Sequence, residues 1–222
     1  MEIIKKLLLA GIILYMQSCS EQVQDRVSPL ASPLLGSWGD QGDGTFRNPI
    51  LNSNYPDSDV EPFGNRWYMI SSKGTYMPGM TILESEDLVN WNIVGSIIDR
   101  IGWEDTGDGV WAGDLAYHEG HWHCYFLDFR KGLFVSKSRD IKGPWSTPQL
   151  ILEKSGMTDP TVYWDYDKKE AYMICNYHIK RRTEGDLYHI KLFRMNWDGT
   201  EIMDDGRLIY SEVGAEAPKI YH

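Results

Sequence analysis

Three cysteines in 222 residues are too few for a disulfide framework. Basic residues are outnumbered, 22 Lys+Arg against 32 Asp+Glu for a net charge of −10, and their longest run is the three residues Lys180-Arg181-Arg182. A nucleic-acid partner needs clustered Lys and Arg to neutralise phosphates, so that class is excluded. No stretch carries apolar residues at a convincing 3.6-residue period, which argues against a helical bundle. The apolar run Leu7–Met16 is ten residues long, about half of the roughly 20 that a bilayer-spanning helix needs. What the chain has instead is 21 Gly, nine Trp and 13 Tyr, the material of turns and aromatic strands. Its 42% hydrophobic and 24% charged residues are ordinary for a globular protein.

Lys5 and Lys6 precede the apolar run, as in the n- and h-regions of a secretory signal. Ser18-Cys19 at its end resembles a bacterial lipoprotein cleavage box, although Met16 and Gln17 depart from the usual Leu and small residue. On that reading residues 1–18 are removed and Cys19 becomes a lipidated N-terminus. A plain secretory signal, with Cys19 incidental, is the alternative. Either way the protein is expected to be exported, and the lipoprotein reading places it on a membrane through its anchor, in the periplasm or at the cell surface. Residues 19–45 are polar and rich in Pro, Ser and Gly, a tether rather than core. Organised sequence starts at residue 46 and continues to 222.

From there the chain repeats itself. Ser85-Glu86-Asp87-Leu88-Val89-Asn90-Trp91 is echoed by Ser138-Arg139-Asp140-Ile141-Lys142-Gly143-Pro144-Trp145, and more faintly around Trp197. The three tryptophans lie 54 and 52 residues apart. Ahead of each stands an apolar strand, a Gly/Asn/Asp turn and an aromatic strand. Units of about 50 residues with several short strands mark the blades of a β-propeller. Blades near 55–95, 110–150 and 157–205 fill the chain, and a fourth opens at Ile220. A propeller closes on at least about four blades, so this sequence is expected to carry only part of one.

Aligned on the apolar residue that starts each blade (Val60, Leu115, Val162), the residues three positions earlier are Asp57, Ala112 and Asp159. Glu216 stands at nearly the same spot before the fourth. First strands of propeller blades line the axis, so these acids would meet at one mouth of the channel. Carboxylates held together split their pKa values, which suits acid/base chemistry. Spacing alone leaves open that Asp57 and Asp159 are turn residues.

Asn48-Pro49-Ile50-Leu51, with Tyr55-Pro56-Asp57, resembles the opening of glycoside hydrolase family 43. Met77-Pro78-Gly79-Met80 followed by Ser85–Trp91, Trp111-Ala112-Gly113-Asp114, Asp159-Pro160-Thr161-Val162 and Glu216-Ala217-Pro218-Lys219-Ile220-Tyr221 are similar to further motifs of that family, in family order. The resemblance implies a five-bladed, all-β propeller, here with about three blades and the start of a fourth. It implies hydrolysis of xylosyl or arabinofuranosyl linkages in plant oligosaccharides or polysaccharides, with inversion. Asp57 then matches the general base, Asp159 the acid that tunes and orients, and Glu216 the general acid. Ser58 stands where the family has Pro after the base, and Gly113 where it has the Pro of W-A-P. No cofactor is required, although the resemblance leaves room for a structural ion in the propeller channel. The alternative is an inactive or glycan-binding propeller fragment.

Other residues rank lower. Trp111 and Tyr76 are candidates for stacking on a sugar face, and Trp103, on a loop between blades, is a weaker one. Trp67, Trp91, Trp122, Trp145 and Trp197 repeat with the blades and are expected in the core. Asp59 and Asp114 read as turn or ion-pair residues, and Asp128 as the cap of a strand end. His118, His121 and His123 are expected to scatter across a hairpin turn rather than bind zinc. Cys124 and Cys175 read as buried small hydrophobes.

Overall fold

The computed structural model describes residues 39–99, 109–180 and 186–221. The expected signal, Cys19, most of the expected tether and Trp103 lie outside the described residues. Residues 39–50 form a small unit of their own. Asp40 bridges Phe46, Arg47 N–H donates to Gly39 O at 2.8 Å, and the Asp40 and Asp43 carboxylates accept the N–H groups of Gly42 and Thr45. The turn is closed by its own polar side chains.

In the larger unit, from Leu51 onward, the regular elements among the described residues are all strands. Its first sheet runs β1 (Asp59–Phe63), β2 (Arg66–Ser71), β3 (Gly79–Ser85) and β4 (Asn92–Ile98). The second runs β5 (Gly113–His118), β6 (His121–Asp128), β7 (Gly132–Ser138) and β8 (Gln149–Glu153). The third runs β9 (Met157–Asp165), β10 (Glu170–Ile179), β11 (Leu187–Met195) and β12 (Arg207–Val213). Each is an antiparallel four-stranded meander in chain order, so the three blades read from the sequence are present. In every blade the pairing of the third and fourth strands slips by a bulge, at Ile82/Leu83, Leu133/Phe134 and Ile190/Lys191. A bulge raises the local twist, and its recurrence makes the blades alike where the repeat is hardest to see in the sequence.

Turn chemistry explains the hairpins. Glu119 and Gly120 both have positive φ (44° and 81°) and join β5 to β6 in two residues, the twist that suits a right-handed strand pair. The S-x-D echoes form matching turns. Ser85 Oγ accepts from Asp87 and Leu88 N–H, and Trp91 Nε1–H donates to Leu88 O at 3.0 Å. In the next blade Ser138 Oγ accepts from Asp140 N–H and Trp145 Nε1–H donates to Ile141 O at 3.0 Å. Asp128 does cap its strand end, accepting the N–H groups of Arg130 and Lys131.

Burial follows the pleat. Along β6, Trp122, Cys124 and Phe126 face the core shared with the first blade, whereas Tyr125 and Leu127 face the core shared with the third. Both faces of β6 are therefore buried from Trp122 onward, and Cys124–Leu127 is apolar without alternation. Cys124 and Cys175 are free, fully buried thiols as expected, and burial pushes the Cys175 thiol up to about 12. Of the five blade tryptophans only Trp122 is fully buried. Trp145 and Trp197 pack against the two cores from their edges, and Trp67 and Trp91 are half-buried. Gly113 answers a packing demand: a side chain there would meet Tyr125 O at 2.7 Å and Met80 Cε at 2.5 Å.

The histidine expectation needs correcting. The two-residue turn pairs His118 with His121, and His123 lies two residues further on the same strand, so all three belong to one face of the hairpin. His118 and His123 are buried there, their ring centroids 6.1 Å apart. His118 stacks on Trp164 at 4.2 Å and its Nδ1 bonds the Tyr166 hydroxyl at 2.7 Å. The face is thus blade-to-blade packing.

Candidate active site

The first strands of the blades lie side by side, with β5 against β1 on one flank and β9 on the other. Asp57 precedes β1 by two residues, and Asp159 is the third residue of β9. Both hold the left-handed backbone conformation, at φ of 51° and 53°, which Asp tolerates better than most side chains. For Asp159 the cause is visible in the register. Ile174 pairs with Thr161 but Asn176 pairs with Thr158, so Asp159 and Pro160 together face Cys175. That bulge turns the Asp159 side chain out of the sheet.

Asp57, Asp159 and Glu216 line one cavity of about 170 Å³, together with Ala112, Gly113 and the Pro218–Lys219 segment. Its volume is below the roughly 300–1,000 Å³ of pockets that enclose drug-sized ligands. The second blade contributes only small residues where its neighbours contribute acids, and this leaves the space open. Ser72 Oγ donates to Asp57 Oδ2 at 2.6 Å. Asn176 Nδ2 and the Ala217 N–H both donate to Asp159 Oδ2, at 2.8 and 3.0 Å. Burial, and then the neighbouring Glu216 carboxylate, raise the Tyr188 hydroxyl above its ordinary range. Burial raises the Asp159 carboxyl above the usual aspartate range, the Ala217 N–H opposes this, and the charges of Glu216 and Asp57 add to the rise.

The structure does not gather every candidate. Trp111 is 40% exposed beside the cavity but outside its lining, its ring stacked on Phe129 at 5.5 Å. Tyr76 is 78% exposed and likewise outside the lining. Ser72, Asn176 and Tyr188 are contributors that sequence reasoning missed. Asn176 carried the one usable signal, an amide inside an otherwise apolar and aromatic strand. Ser58 closes the turn after Asp57 by donating to Tyr55 O at 2.8 Å, which replaces the restraint of a proline.

Asp59 and Asp114, two positions past Asp57 and Ala112, are ion-pair residues. Lys219 Nζ lies 2.6 Å from Asp59 Oδ1 and 3.6 Å from Asp114 Oδ1. Among the described residues no three His, Cys, Asp or Glu side chains converge to hold a metal ion, and these two carboxylates already face an ammonium. Glu61, nearby, is held at about 7 by burial first and the Asp59 charge second. Its folded pKa thus exceeds the ordinary 4.5, so the stability it contributes is present below pH 4.5 and is lost as pH rises through 7. Glu61→Gln should remove that loss. Thermal melts should show it level with the parent at pH 4 and about 2–4 °C higher at pH 8, the shift about 1 kcal/mol gives a domain this size. A variant that melts below the parent at pH 8 contradicts the placement.

Residues 46–222 match the sequence model of Glycosyl hydrolases family 43. The chain belongs to that family. A β-xylosidase of Formosa agariphila is 46% identical over 98% of this chain. A non-reducing end α-L-arabinofuranosidase of Bacteroides ovatus is 31% identical over 53% of it. The chain spans 39% and 24% of the lengths of these two relatives. Among solved structures, a family-43 protein from a capybara gut metagenome superposes with a TM-score of 0.68 at 25% identity, over 78% of this chain and 36% of its own. A xylan β-1,4-xylosidase from Bacillus halodurans gives 0.65 at 25% identity, over 79% and 36%. The family-43 fold is therefore a propeller of which this chain supplies three blades and the segment that follows them.

Proposed function

We propose that this chain is part of an exported family-43 glycosidase that removes xylosyl or arabinofuranosyl units from plant oligosaccharides or polysaccharides with inversion. The observation that supports it is the convergence of Asp57, Asp159 and Glu216 from three separate places in the chain on one cavity. In this reading Asp57 takes a proton from a water on the face of the sugar opposite the leaving group, and the water oxygen bonds the anomeric carbon. Glu216 gives its proton to the departing glycosidic oxygen. Asp159 disfavours further negative charge beside Glu216 and, through the Ala217 N–H, fixes the backbone next to it. Trp111 and Tyr76 are proposed to meet the sugar chain outside the cavity, where aromatic faces stack on the apolar faces of sugar rings.

A panel of aryl glycosides, applied to protein of the length its relatives have, tests this. Release from a β-xyloside or an α-arabinofuranoside is expected, with the first product seen by proton NMR carrying the opposite anomeric configuration. Retained configuration would sink the mechanism, and inertness toward both glycosides would sink the activity. Export is tested separately. Cys19→Ala should move the protein from the membrane fraction to the soluble one, and unchanged fractionation would refute lipidation.

A further inference from the structure

We propose that Lys219 is a positioning residue: its ammonium pins residues 215–221 to the first two blades and thereby sets where Glu216 stands. The proposal rests on the acid role given to Glu216 above. Residues 215–221 form no strand or helix, so contacts to other elements must fix them. Two of these run to β9: the Ala217 N–H donates to Asp159 Oδ2 at 3.0 Å, and Pro218 O accepts from Thr161 Oγ1 at 3.0 Å. Lys219 supplies a third, to the other two blades, through Asp59 at 2.6 Å and Asp114 at 3.6 Å.

The receiving carboxylates are themselves held. Asp59 Oδ2 accepts the Leu115 N–H of the second blade at 2.9 Å, and Asp114 Oδ2 accepts the Val162 N–H of the third at 3.0 Å. Each acid commits one oxygen to its neighbour's backbone and turns the other toward Lys219. The clamp is rigid at its receiving end, and Asp114 is 5% exposed, so water competes little for the charge. Lys219 also borders both the acid-lined cavity and a second one of about 220 Å³ that contains Glu61. It stands as the partition between them, three residues from Glu216. Its Nζ is engaged by the aspartates, which makes it a positioning group rather than a sugar contact.

Lys219→Met keeps the stem and removes the charge. If Glu216 is displaced, the loss must fall on the step that needs its proton. On a xylobiose-type substrate kcat should drop about 10²-fold, the cost of an ångström-scale misplacement. On a dinitrophenyl glycoside, whose leaving group needs little protonation, it should drop less than about 10-fold. KM should hardly change. Asp59→Asn, which still accepts from Leu115, should show the same split with smaller amplitude, and it answers the question if Lys219→Met fails to fold. Equal losses on both substrates, or none, in the folded variants would overturn the clamp. Glu216→Gln serves as the reference. A split there without one in Lys219→Met or Asp59→Asn defeats the clamp alone, whereas no split in Glu216→Gln defeats the acid assignment and the clamp with it.

Discussion

Asp57→Asn is expected to lower kcat by about 10²–10⁴-fold, the range that a positioned general base contributes, with thermal stability close to the parent's. The asparagine keeps an oxygen that can accept the Ser72 hydroxyl, now 2.6 Å from Asp57 Oδ2. It also tolerates the φ of 51° at this position. What it loses is the ability to take a proton from water. KM should change little, because the amide still fills the carboxylate's place in the cavity. Steady-state kinetics and a melting curve on the same preparation check both halves. A variant with more than about a tenth of the parent's kcat would remove Asp57 from the role of base.

The second large effect is selective. Glu216→Gln should cost about 10²–10⁴-fold on glycosides with poor leaving groups and far less on activated aryl glycosides, since only the former need the leaving oxygen protonated. A plot of log kcat against leaving-group pKa should be shallow in the parent and steep in the variant. Asp159 is the coupled neighbour: burial first raises its carboxyl, and the charge of Glu216 adds to the rise. Parallel plots for parent and variant would mean that protonation of the leaving group comes from elsewhere.

The repeat was legible because a blade repeats its turn chemistry as well as its strands. Ser85 and Ser138 accept the same backbone N–H groups two residues on in successive blades, and their tryptophans each donate to a carbonyl three or four residues back. The same bonds explain why the core expectation for these rings was only partly right. Trp91 and Trp145 are tied to turns at sheet edges, whereas Trp122, in the middle of the second blade, is buried. The convergence of the acids on one cavity was legible through register, since Asp57 and Asp159 stand three positions before the aligned apolar residues Val60 and Val162, and Glu216 four before Ile220. Their supports were not. Ser72 and Asn176 reach their aspartates across 15 and 17 residues, and Asn176 does so through a bulge that no alternation pattern reveals. Lys219 meets Asp59 across 160 residues, a pairing that exists only once the blades are arranged around an axis. The histidines misled because a two-residue turn aligns positions that a longer one would separate.

The left-handed backbone at Asp57, Asp159 and Ala217, with φ of 51°, 53° and 51°, has a consequence for how this protein can vary. At the two aspartates the chain accepts Asn or Gly without new strain, and resists most other residues by about 1–3 kcal/mol whatever their chemistry. Random variation there is filtered by backbone geometry before it is filtered by catalysis. A screen that selects only for folded protein would thus return Asp, Asn and Gly at positions 57 and 159, and a screen for turnover would keep Asp alone. Position 217 lies under the geometric filter without the chemical one. There Gly should outcompete the native Ala in a stability screen, and the residue that carries the Glu216 backbone forward is free to drift between the two.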